Sequence, residues 1–148
     1  MTKTFFLAGA IALATALPAA AELVTLQSQK SVGETMDALQ AAVEGAGATV
    51  FARVDHAAGA QNAALELSPS QLLIFGNPKL GTPAMQADMR AGLYLPLKVL
   101  AFEDADGQVW LTYEDPAEML SGLEIPADAA FIGKMQGALD KLTSKAVQ

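Results

Sequence analysis

The chain has 148 residues, 52% hydrophobic side chains, no cysteine and a formal net charge of −7. The missing thiols exclude disulfide staples, iron–sulfur ligation and cysteine nucleophiles, so the fold must rest on packing alone. An acidic balance of this size repels phosphate backbones and argues against a nucleic-acid partner.

Taken in chain order, the first 21 residues read as a secretory signal peptide. Lys3 supplies the positive start, Thr4 to Leu17 is an uncharged apolar run, and Pro18 precedes the small residues Ala19, Ala20 and Ala21. The run is shorter than the roughly 20 residues that span a bilayer. It therefore predicts cleavage after Ala21, periplasmic or secreted residence, and no membrane-embedded segment afterwards. Removing 21 of the 148 residues leaves 127, with 8 basic against 16 acidic side chains and a net charge of −8. That length suits one domain with a substantial core, over residues 22–148.

Leu23 to Gln29 alternates as a first strand. Ser31 to Glu34 is a capping box opening a helix with Val32, Met36, Leu39 and Val43 on one face, closed by Gly45 and Gly47. Val50, Ala52 and Val54 alternate with Phe51 and Arg53 in a second strand from Thr49 to Asp55. Asp55 caps an alanine-rich helix expected over Ala57 to Glu66, whose small residues suggest close packing on a sheet. The continuous apolar run in Gln71 to Phe75 predicts a fully buried strand. Asn77 to Gly81 reads as a loop, and Thr82-Pro83 as the start of a helix carrying Met85, Met89 and Leu93 along one face. Leu97 to Glu103 and Gln108 to Glu114 flank Asp104-Ala105-Asp106-Gly107, a hairpin signal. A short helix from Pro116 to Leu120 and a final helix with Phe131, Met135, Leu139 and Leu142 buried complete the chain. The order β-α-β-α-β-α-β-β-α predicts an α+β domain: a single two-layer unit with a mixed or antiparallel sheet of about five strands and helices packed on it.

Several of these residues, in this order, resemble the DUF302 family. They are Arg53 to His56, Leu65 to Pro69, Leu72 to Lys79 with Gly81-Thr82-Pro83 and Met85, then Leu95-Pro96-Leu97, the Asp-Gly of the hairpin, and Val109 to Tyr113. Ser68 departs from the basic residue that many members carry before the proline. The resemblance implies a small α+β fold and a homodimer. It implies no activity, cofactor or catalytic residue, the family being one of unknown function.

Candidate chemistry is sparse. His56 is the only histidine, which removes any histidine-based zinc site. Asp55 and His56 sit where a strand becomes a helix, and Asn77, Lys79 and Thr82 sit at the start of the next helix. A helical crossover between the two strands would make them parallel and bring both loops to one sheet edge. Two helix N-termini there would offer N–H groups to an anion. The expected ligand-binding set is accordingly Asp55, His56, Asn77, Lys79, Thr82 and Tyr113, serving a small polar or anionic ligand, with no cofactor and no metal. His56 with Met85 and Met89 is a weaker set for a soft metal, since paired methionines are more often core. Glu103, Asp104 and Asp106 lack the spacing of a calcium loop. A structural or interaction dimer is the alternative expectation, and acid–base catalysis by His56 a lesser one.

Overall fold

The computed structural model describes residues 22–148; the expected signal peptide and its cleavage site lie outside the described residues. The sheet has five strands, β1 (Leu23–Ser28), β2 (Thr49–Asp55), β3 (Ser70–Gly76), β4 (Leu97–Glu103) and β5 (Val109–Glu114), in the order β1-β5-β4-β3-β2. Every neighbouring pair is antiparallel. Helices α1 (Val32–Gly45) and α5 (Ala130–Val147) cover one face of the sheet; α2 (His56–Asn62), α3 (Pro78–Ala87) and α4 (Pro116–Leu120) lie along the connections.

The core follows from the pattern of apolar positions. On α1, Val32, Met36, Leu39 and Val43 recur at helical spacing and all are buried. The Ser31 hydroxyl accepts from the Glu34 N–H while the Glu34 carboxylate accepts from the Ser31 N–H, so two orphan donors are satisfied at once. Facing them are Leu73, Phe75, Val99, Ala101, Leu111 and Tyr113 from the inner face of the sheet, and Met135, Leu139 and Leu142 from α5. Ile132 is buried in α5 where the sequence pointed to Phe131, which is half-buried. Ser28 and Thr35 close the polar side of this core through a 2.7 Å hydroxyl pair.

Two strands depart from expectation. β3 is covered on one face only: Leu73 and Phe75 are buried, whereas Leu72 and Ile74 look out from the side without helices. An unbroken apolar run is thus a strand with two unequal faces. In β2 a bulge between Val50 and Ala52 leaves Phe51 as the extra residue. Val50 stands opposite Phe75 on the inner face, while Ala52 and Val54 stand opposite Ile74 and Leu72 on the outer one. A bulge reverses the facing of the residues on either side of it, which simple alternation does not anticipate. Arg53 consequently faces the helices and pairs with Asp37 of α1 at 2.6 Å.

Helix α2 also differs. It stops at Asn62 and has no buried residue. Residues 63–69 after it are all exposed, including Leu65 and Leu67. Asp55 does cap it, accepting from the Ala58 N–H at 2.9 Å. The segment does not cross the sheet: Asp55 pairs with Gln71, so the chain leaves and re-enters at the same end. β2 and β3 are therefore antiparallel, and the expected parallel pair is not formed.

The third helix begins earlier than its Thr-Pro pair suggests. Asn77 is the N-cap, its Oδ1 accepting from the Lys79 N–H, and Pro78 takes the first helical position. Thr82 and Pro83 lie inside the helix. The helix ends at Ala87, and Met89 and Leu93 fall in a separate 3-10 turn, Met89–Leu93, where they are 77% and 83% exposed. They do not continue the Met85 face.

Candidate functional site: an apolar cavity under the third helix

The antiparallel pairing of β2 with β3 separates the expected site residues. Asp55 and His56 stand at one end of these strands and Asn77 at the other. Six residue steps along β2, at about 3.3 Å each, put the two ends about 20 Å apart. His56 is exposed and makes no side-chain hydrogen bond among the described residues. The Asp55 carboxylate accepts from Ala58 N–H and from the Gln71 amide, which is a capping role. Tyr113 is buried on β5, where burial pushes its phenol up. It lines a second, smaller cavity beside Leu97 and Leu139. The soft-metal set is likewise dispersed: Met85 belongs to the Asn77 end, Met89 is exposed, and His56 is at the far end. No group of three or more His, Cys, Asp or Glu side chains that could hold a metal occurs among the described residues.

What remains together is Asn77, Lys79 and Thr82 on one stretch of chain, and of these Asn77 and Thr82 line a cavity of about 440 Å³. Its walls come from five segments. Ala46 and Ala48 of the turn after α1 and the bulged Phe51 form one side. Phe75 and Gly76 end β3 and lead into Asn77, Pro78, Leu80, Gly81, Thr82 and Met85 of α3. Leu95, Pro96 and Leu97 enter β4, and Met135, Ala138 and Leu142 of α5 close the floor. Asn77 and Thr82 are the polar side chains of the lining, and no lining residue is charged. The volume lies in the range of small-molecule pockets, and an apolar wall with a few placed polar groups is their usual constitution.

Local sequence explains the space. Gly76 lets β3 pass close to Pro96: a Cβ there would sit 3.4 Å from the Pro96 Cβ. The bulge turns Phe51, 58% exposed, toward the rim. Ala138 is a small residue on α5 between Met135 and Leu142, and its missing bulk is part of the void. Periodicity identifies Met135 and Leu142 as core, but only the docking of α3 shows that they face a gap.

The sequence reading passed over Asp88. It is nearly buried, accepts from the Arg90 and Glu124 N–H groups, and forms a 2.6 Å ion pair with the Arg90 guanidinium. These bonds, the Arg90 side chain first, hold its carboxyl far below the usual carboxylate range. It fastens the 3-10 turn to the connection before α5, so it positions the entry to β4 rather than carrying chemistry. An Asp before a short turn is too common a cap to stand out in sequence.

Residues 24–144 match the family described as "Domain of unknown function DUF302", and the chain belongs to that family. Its fold is also that of the "uncharacterized conserved protein DUF302 from Bacillus stearothermophilus", a crystal structure with a TM-score of 0.76 at 17% identity, over 84% of this chain and 97% of that one. Among curated proteins, it is 45% identical over 117 residues to "Fluoride-specific ion channel FluC 1" of Brucella suis biovar 1, covering 78% of this chain and 46% of the relative. The same identity and length hold for "Fluoride-specific ion channel FluC 2" of Brucella melitensis biotype 1, of which 43% is covered. The chain thus spans a little under half the length of the curated relatives it matches.

Proposed function

We propose that this protein is an exported binding module whose ligand seats an apolar body in the cavity beneath α3. The single observation that carries the reading is a cavity of about 440 Å³ with no charged wall. A void of that size lined by apolar side chains forgoes packing contacts that a ligand would restore. Asn77 and Thr82 orient what enters. The ligand's polar portion stays at the α3 end, while Asp55 and His56 are left out of the site. Export rests on the first 21 residues of the sequence, with cleavage after Ala21.

The test is a titration with the neutral fluorophore N-phenyl-1-naphthylamine. Saturable enhancement by the wild-type protein, abolished in Ala138→Trp while the circular dichroism spectrum is retained, supports the reading. No enhancement in the wild type, or equal enhancement in the variant, overturns it.

A second reading is an interaction domain. The sheet face without helices carries Val54, Leu72 and Leu100 in one row across three strands, and Leu65 and Leu67 in the connection before β3 are 65% and 52% exposed. A second copy of the chain would cover them as a homodimer. Sedimentation at micromolar concentration decides it, a strict monomer removing the homodimer. The relatives named as fluoride channels extend the idea to a membrane partner. Among the described residues no helix is long and apolar enough to cross a membrane, so we assign the pore to the unmatched part of those proteins and an accessory role to this domain.

A further inference from the structure

We propose, building on the cavity reading, that the ligand is an amphipathic anion: one alkyl chain of about ten carbons in the cavity, and a carboxylate or phosphate head held by lysines at its mouth. The tail length follows from volume. A water takes about 30 Å³ of liquid, voids included, and a methylene is similar in size, so a cavity of about 440 Å³ has room for up to about fifteen carbons, and a ten-carbon chain fits with space left at the mouth.

The head follows from charge placement. Lys134, Lys141 and Lys145 of α5 are exposed and lie at intervals of seven and four residues. At about 100° per residue they fall within an arc of about 40°, a single stripe along the helix. That stripe borders the cavity wall. Lys134 precedes the lining residue Ala138 by four positions, Lys141 follows it by three, and Lys145 follows the lining residue Leu142 by three. Residues three and four apart on a helix are surface neighbours. On α3, Lys79 is exposed and lies in sequence between the lining residues Pro78 and Leu80.

The other four cations from residue 22 onward are engaged. Arg53 pairs with Asp37 and Arg90 with Asp88; Lys30 donates to the Ala146 carbonyl and Lys98 to those of Tyr94 and Pro96. The four lysines around the cavity make no ion pair or side-chain hydrogen bond among the described residues. In a chain with 16 acidic residues, each of these four free lysines lies within four residues of a residue lining the cavity of about 440 Å³. Helix-dipole preference does not explain the stripe, because it favours cations in the last turn, and Lys134 is the fifth residue of an 18-residue helix. Asp140 lies about 120° around α5 from the centre of the stripe, and the Glu44 carboxylate, two residues before the lining Ala46, accepts from the Gln40 amide.

The experiment displaces N-phenyl-1-naphthylamine with decanoate, decyl phosphate and decan-1-ol at low salt, using the wild type and a Lys134→Gln/Lys141→Gln/Lys145→Gln variant. Expected is an affinity for decanoate about tenfold above that for decan-1-ol, shrinking with added salt as screened charges require. The variant should lose that preference and still bind the neutral dye. Tight binding of decyl phosphate as well points to a lipid-like phosphate source, and binding of decanoate alone to a free carboxylate. Equal affinity of the wild type for decanoate and decan-1-ol overturns the proposal while leaving an apolar-ligand module standing. Failure of the dye itself to bind removes both.

Discussion

The cavity makes an unusual demand on mutagenesis: adding carbon to the interior should stabilise the protein. Ala138→Leu puts three more carbons on α5 between Met135 and Leu142, toward the void of about 440 Å³. Burying a methylene yields about 0.8 kcal/mol, so full burial of three yields about 2.4 kcal/mol. Ala138 is half-buried, which roughly halves this, and ordering a leucine costs a few tenths of a kcal/mol. Leucine and alanine differ little in helix propensity. The net expectation is a gain of about 0.5–1 kcal/mol, seen as a Tm raised by roughly 2–4 °C in calorimetry of a domain this size. The same variant should bind the neutral dye more weakly, since it removes part of the cavity. In a filled interior, three extra carbons would instead force side chains off their rotamers and cost about 1–3 kcal/mol. A lowered Tm would therefore refute the existence of free space at Ala138, and with it the proposed site.

Gly107 sits at φ +75° in the turn between β4 and β5. Gly107→Ala forces a side chain into the left-handed region and should cost about 1 kcal/mol, read as a lower urea midpoint with an unchanged slope. Asp88 bears on pH. Its carboxyl is held below its ordinary value of 3.8 in the folded protein. The stability it contributes is fully present above that value and is lost as pH falls toward the depressed folded value. Asp88→Asn should therefore lower Tm at pH 7 and weaken its dependence on pH below about 5; a Tm unchanged at pH 7 would show that Asp88 does not fasten the turn. Leu65→Glu with Leu67→Glu should change stability by no more than about 0.5 kcal/mol, because both side chains are exposed. If a dimer exists it should dissociate in that variant by sedimentation, and a dimer that persists unchanged places its interface elsewhere.

Much of the fold was legible because local physics decided it. The Ser31–Glu34 box, the Asp104–Gly107 turn and the apolar spacing of α1 and α5 are satisfied within a few residues of chain, so sequence alone determined them. The membership in a family of α+β domains was legible for a similar reason, being carried by several short runs of residues, among them the one about the β3–α3 junction. The candidate site was not. Its position hung on whether β2 and β3 run parallel or antiparallel, and a connection of 14 residues serves either a crossover or a long hairpin. The antiparallel choice parted Asp55 and His56 from Asn77. The bulge at Phe51 then reversed half of β2, and the docking of α3 opened the cavity where periodicity promised only core. The lysine stripe of α5 was visible in the sequence as charge, but its meaning depended on which helix face met the void. Sequence fixes what each segment can bury by itself; where two surfaces fail to fill the space between them is a property of the pair, and only the tertiary structure decides it.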